Sequence, residues 1–198
     1  MKEPTPELVC AFWKFMTQHY NTTVVDKASA IEMQIASSVL GALHILDPSA
    51  FLQHYTTTIG RRIYCPFTPG DASTPGGSLF EQLVVCTHEH EHVVQSDTLG
   101  AVTYSYRYLT STASRTRLEA EAYRASLELS WWRNKTLPDI GTLANCLKGY
   151  GVTDTDIATA KAILMASAKS VRQGAIVNPA SAVAIAWLNT NAPELRAA

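Results

Sequence analysis

Apolar positions recur along this chain mainly at helical spacing, with two stretches that alternate instead. Leu8, Phe12, Phe15 and Met16 follow a pair of prolines and predict a helix over residues 7–18, broken by Asn21-Thr22-Thr23. Ile31, Met33, Ile35, Val39, Leu40, Leu43 and Ile45 predict a longer helix over 26–46, stopped by Asp47-Pro48. Residues 56–67 are rich in β-branched side chains, end at a proline region, and predict a strand. The turn-rich loop 69–77 then feeds Ser78, the expected N-cap of a helix carrying Leu79, Phe80, Leu83, Val84, Val85, Val93 and Val94. Gly100 marks the end of that segment. Residues 101–109 alternate in strand fashion, which would set Tyr104, Tyr106 and Tyr108 on one face. Residues 114–132 predict a long helix. Further helices are expected over 140–150, 153–171 and 179–188, punctuated by Gly151, Gly174 and Asn178-Pro179, with residues 191–198 frayed.

At 198 residues, one domain spanning 1–198 is the simplest expectation, α+β and predominantly helical with a small sheet. Its chemistry would lie within residues 54–127, with 1–50 and 138–190 as helical packing layers. Apolar residues make up 46% and charged residues 17%, and the net charge is −1. No basic surface therefore advertises nucleic acid or anionic lipid. Cys10, Cys65, Cys86 and Cys146 are scattered without a C-x-x-C pair, so a reducing compartment is expected rather than a disulfide framework. The N-terminal residues lack the basic start and apolar run of a secretion signal. No stretch reaches the roughly 18–20 apolar residues that span a bilayer. A cytoplasmic protein with no membrane partner is the expectation.

Residues 88–92 change the picture. His88-Glu89-His90-Glu91-His92 contains H-E-x-x-H in one register only, the one starting at His88. On a helix, residues four apart stand on one face, so His88 and His92 can aim imidazole nitrogens at one ion. Zinc takes neutral imidazole at about 2.0–2.1 Å in tetrahedral sites. Glu89 sits about 100° round the helix from His88, beside such an ion, where it can deprotonate a metal-bound water. His90 falls nearly opposite the His88/His92 face and is expected to be an exterior or packing residue. Glu91 and Gln95 fall near the ligand face as candidate supports. A third ligand must come from elsewhere. The helix over 114–132 carries Glu119 and Glu121 about 200° apart, so only one of them can face the first helix.

Here the residues resemble a known family. Ser114-Arg115-x-x-x-Glu119-x-x-Ala122-Tyr123 is similar to the S-R-x-x-E-x-x-A-D stretch of gluzincins of the HtpX and CAAX-prenyl-protease type. Tyr123 stands where that family has Asp, and the Ser-Arg spacing differs by one residue. The resemblance covers about residues 54–127 and extends to small bacterial and phage zincin-like proteins. It implies a zincin-like fold with the small sheet beside the H-E-x-x-H helix, Glu119 as the third zinc ligand, and Glu121 as the fallback. It also implies an edge strand able to pair with an extended substrate.

The expected activity is zinc-dependent hydrolysis of peptide bonds in a peptide or protein substrate. His88, His92 and Glu119 would hold Zn²⁺, Glu89 would serve as general base, and Tyr104, Tyr106 and Tyr108 are candidate oxyanion donors. The rival expectation is a non-catalytic zincin-like module of a larger assembly, such as a phage particle. A third is hydrolysis of an amide other than a peptide bond. Oligomeric state is not legible in these residues.

Overall fold

A computed structural model of the chain describes residues 2–34, 48–73 and 77–197. Among these residues the protein is mostly helical with one three-stranded sheet, the α+β class expected. The chain divides into two compact units, Glu3–Glu89 and His90–Ala198, and the division falls inside a single helix.

The first unit opens with α1 (Pro6–Tyr20), in which the Thr5 hydroxyl accepts from the Leu8 amide and Pro6 occupies a position where no amide proton is needed. Val9, Phe12, Trp13 and Met16 form its buried stripe. Asn21, at φ 51°, closes the helix in the left-handed conformation that asparagine tolerates. Strand β1 (Thr23–Asp26) follows, which sequence periodicity does not reveal because four residues are too few to show a repeat. It takes Asp26 out of the helix expected over 26–46. Residues 27–30 are non-helical, helical backbone is found at 31–34, and the remainder of that expectation, residues 35–46, lies outside the described residues.

After α2 (Pro48–His54), the stretch expected as one strand is a hairpin, β2 (Thr57–Ile59) and β3 (Arg62–Cys65). The chain reverses at Gly60-Arg61, and Gly60 sits at φ 59°, which a residue without Cβ adopts freely. The sheet order is β1-β3-β2, with β1 parallel and β2 antiparallel to the central strand. Ile63, Tyr64 and Cys65 of β3 are buried.

Helix α3 (Leu79–Leu99) begins with the expected cap at Ser78. The Ser78 hydroxyl accepts from the Glu81 amide while the Glu81 carboxylate accepts from the Ser78 amide, a reciprocal capping box. One turn on, buried Gln82 accepts from the Gly70 amide at 2.8 Å and donates to the Asp71 carbonyl at 2.9 Å, tying the preceding loop to the helix.

In the second unit, α4 (Ala101–Thr110), α5 (Thr112–Asn134), α6 (Ile140–Cys146), α7 (Asp154–Arg172) and α8 (Pro179–Asn191) follow in order. Ala120 and Leu127 of α5 share a core with Ala144, Ala160, Leu164 and Ala168. Segment 101–109, expected as a strand, is the helix α4. Its alternating pattern also places Tyr104 and Tyr108 four apart, and a helix closes its own backbone hydrogen bonds where a strand would need a neighbour. Tyr106 consequently leaves the face of the other two and is 68% exposed. The C-terminal residues, expected to fray, are tied down instead. Ala192 and Leu195 are buried, and the Ala197 amide donates to the Arg133 carbonyl at 2.6 Å. No helix among the described residues is long and apolar enough to cross a membrane.

Candidate metal centre

The eight residues from Cys86 to Val93 are all buried, although five of them are His or Glu. A helix buried on every side is ordinarily apolar. Buried polar groups must be paired to offset their lost hydration, so this density of titratable side chains marks a constructed site. His90 is fully buried, which makes it a packing residue and not an exterior one. Within the second unit, the Glu91 carboxylate accepts from the Ala180 amide of α8 at 3.3 Å. Burial pushes its carboxyl up to about 7, against the pull of that hydrogen bond and of His92.

His88 and His92 lie one turn apart on α3, and Glu119 on α5 faces them. Each offers one ligand atom, and the three atoms lie within 4.8 Å of one another. Nε2 of His92 stands 3.4 Å from Oε1 of Glu119. That is longer than the roughly 2.7–2.9 Å of a charge-assisted hydrogen bond. It matches the edge of about 3.3–3.4 Å between two donors placed about 2.0–2.1 Å from a common tetrahedral ion. Two imidazoles and one carboxylate, all buried, are a donor set that zinc accepts while leaving a fourth position open. The residues present therefore fit a metal ion.

The other nitrogen of His92 is specified as well. Nδ1 lies 3.0 Å from Oε1 of Gln95. Nε2 of Gln95 donates to the Leu118 carbonyl at 2.9 Å and to Glu121 Oε2 at 3.3 Å. That orientation turns the amide oxygen toward His92, so Nδ1 carries the proton and Nε2 keeps its lone pair for a metal. Glu121 thus stands behind Gln95, outside the ligand cluster, and Glu119 is the acid brought to the two histidines.

Glu119 is held by Tyr108, one of the three tyrosines expected as candidate oxyanion donors. The Tyr108 hydroxyl donates to Glu119 Oε1 at 2.5 Å, and the Tyr108 ring lies edge-on to His92. Burial, then the charge of Glu119, pushes the Tyr108 phenol well above its ordinary range, so it remains a donor. Tyr104 stacks on Tyr108, with ring centroids 5.8 Å apart. Arg115, the arginine of the Ser-Arg pair, is buried and donates to the carbonyls of Tyr108, Leu109 and Tyr150. It closes the last turn of α4 and so fixes where Tyr108 emerges.

Glu89 is positioned from the sheet. The Thr58 hydroxyl of β2 donates to Glu89 Oε2 at 2.7 Å. Neither Thr58 nor the Tyr108 contact has a local sequence signal, since each is set by tertiary packing. Compared with known proteins, the chain matches no family model, no curated protein and no solved structure. What the structure itself provides is a buried His88, His92 and Glu119 group that could hold a metal ion.

Proposed function

We propose that the protein is a zinc-dependent hydrolase of peptide bonds. The observation that carries this reading is the buried His88, His92 and Glu119 cluster with Glu89 adjoining it on the same helix. A bound Zn²⁺ would supply a Lewis acid and make a water nucleophilic near neutral pH. The protein's own groups do the remainder. Gln95 holds the His92 tautomer that leaves Nε2 unprotonated, and Tyr108 fixes the carboxylate of Glu119. Thr58 engages one oxygen of Glu89, leaving Oε1 to take the proton of the attacking water and pass it to the leaving amine. A base beside a donor set of three residues favours chemistry over a purely structural metal, which normally takes four protein ligands.

Cleavage of casein or of a mixed peptide library, with and without chelator, tests the reading. Chelator-sensitive cleavage is expected. Glu89→Gln is expected to retain stoichiometric metal and lose cleavage, and His92→Ala to lose the metal. Full metal occupancy with no cleavage of any peptide would favour a non-catalytic module.

A further inference from the structure

Outside the ligand cluster, the Lys27 side chain, directly after β1, is wholly enclosed at 0% exposure. Its amide extends the β1 pairing by donating to the Cys65 carbonyl at 2.9 Å. Its ammonium donates to the Tyr55 carbonyl at 2.6 Å and to the Thr57 hydroxyl at 2.7 Å. Burying an ammonium is costly unless its partners and a countercharge offset the lost hydration, and a methionine or leucine would fill the same volume without that cost. Burial drives the Lys27 ammonium down to about 7, and the charges of Glu89 and then Cys65 act against that fall. These two hydrogen bonds of the ammonium go to the residues flanking Thr56, where the chain enters β2. The next residue after Thr57 is Thr58, whose hydroxyl reaches Glu89.

We propose that Lys27 is a positioning residue for Glu89: it ties Tyr55 and Thr57 so that the Thr58 hydroxyl meets the carboxylate. In this role Lys27 acts through β2 on Glu89. Its consequence for rate rests on the hydrolase reading, whereas the placement of Glu89 does not. Misplacing a catalytic group by about 1 Å costs on the order of 100-fold in rate, which sets the scale of the effect.

Three variants test it: Lys27→Met, Lys27→Arg and Thr58→Val. Each is assayed for zinc content, melting temperature, kcat and KM. The carboxyl ¹³C resonance of Glu89 is followed in glutamate-labelled protein, with and without zinc, and is assigned by its loss in Glu89→Gln. Lys27→Met is expected to take up zinc like the wild type and to displace or broaden the Glu89 resonance. Its kcat should fall about 10–100-fold at unchanged KM, with partial recovery in Lys27→Arg. A Glu89 resonance unmoved in Lys27→Met would overturn the proposal. So would a rate loss that merely follows a falling melting temperature. Should Lys27→Met fail to fold, Thr58→Val interrupts the same link with the lysine retained, and an unmoved resonance there overturns it equally. A wild type without peptidase activity counts against the hydrolase reading alone, because the resonance is read without turnover.

Discussion

His92 has two ring nitrogens, and the side chains around it decide which one an ion can use. Gln95 takes Nδ1–H, and Glu119 faces Nε2. Gln95 was within reach of sequence reading because it lies three residues on, near the ligand face. The sequence offers Tyr108 as a candidate oxyanion donor, whereas its hydroxyl is engaged by Glu119. Tyr108→Phe keeps the ring and removes that donor. Loss of such a supporting hydrogen bond typically weakens metal binding about 10–100-fold. Competition against a colorimetric chelator should show that decrease, and an unchanged affinity would mean Glu119 needs no fixing. Lys27 gives a prediction of a different kind. Below about pH 7 it is charged in both folded and unfolded chains, and the full cost of burying the ammonium is present. Between about 7 and its ordinary 10.5, the unfolded chain binds a proton that the folded one does not. Stability therefore rises with pH over that window, by up to about 1.4 kcal/mol per unit. Near and above 9, the ordinary thiol value, Cys65 and Cys86 act in the opposite sense, because burial keeps them protonated when folded. Urea unfolding of wild type and Lys27→Met should thus diverge in favour of the wild type between pH 7 and 9. A difference constant across that range would contradict the assignment.

Helices announced themselves in the sequence wherever caps and an apolar stripe coincided. Thr5-Pro6, Ser78 with Glu81, and Thr153 with Asp156 each start a helix by satisfying its first amides, and all three signals are local. The sheet was harder to read because its information is not local. β1 is four residues long and is defined by pairing with β3, nearly forty positions further on. The helix found at 101–109, where alternation predicts a strand, has the same root. Nine alternating residues satisfy a strand template, but only tertiary context shows that α4 packs Tyr104 and Tyr108 inward and exposes Val102, Tyr106 and Leu109. What sequence did offer there was Gly100. It sits at φ 81° and ψ 135°, a conformation almost reserved for glycine, and it turns the chain from α3 into α4. A Cβ built at Gly100 would meet nothing within 4 Å. The penalty of Gly100→Ala is therefore conformational alone, about 1–3 kcal/mol. It should appear as a lower urea midpoint at unchanged slope. An unchanged midpoint would show that the α3–α4 junction relaxes without strain.

For the whole molecule, the ligands come from two helices well separated in sequence, so the complete donor set exists only when the chain is folded. His88 and His92 are one turn apart and would be near each other in any helical fragment. Glu119 is brought to His92 by the packing of α5 and by Tyr108. An ion that binds the folded chain and not the unfolded one stabilises it by mass action, about 2.7 kcal/mol when free metal is 100 times the dissociation constant. Zinc should accordingly raise the melting temperature of the wild type, and chelator should reverse the rise. His92→Ala should abolish the response. Glu119→Gln should reduce it steeply, since a neutral amide keeps the shape but not the charge of the third donor. Glu89→Gln should leave the response intact, because that carboxylate stands beside the donor set and is held by Thr58. Each variant separates one role from another. A full thermal response in Glu119→Gln would move the third donor to a different group, and a lost response in Glu89→Gln would make Glu89 a ligand and leave the site without its base.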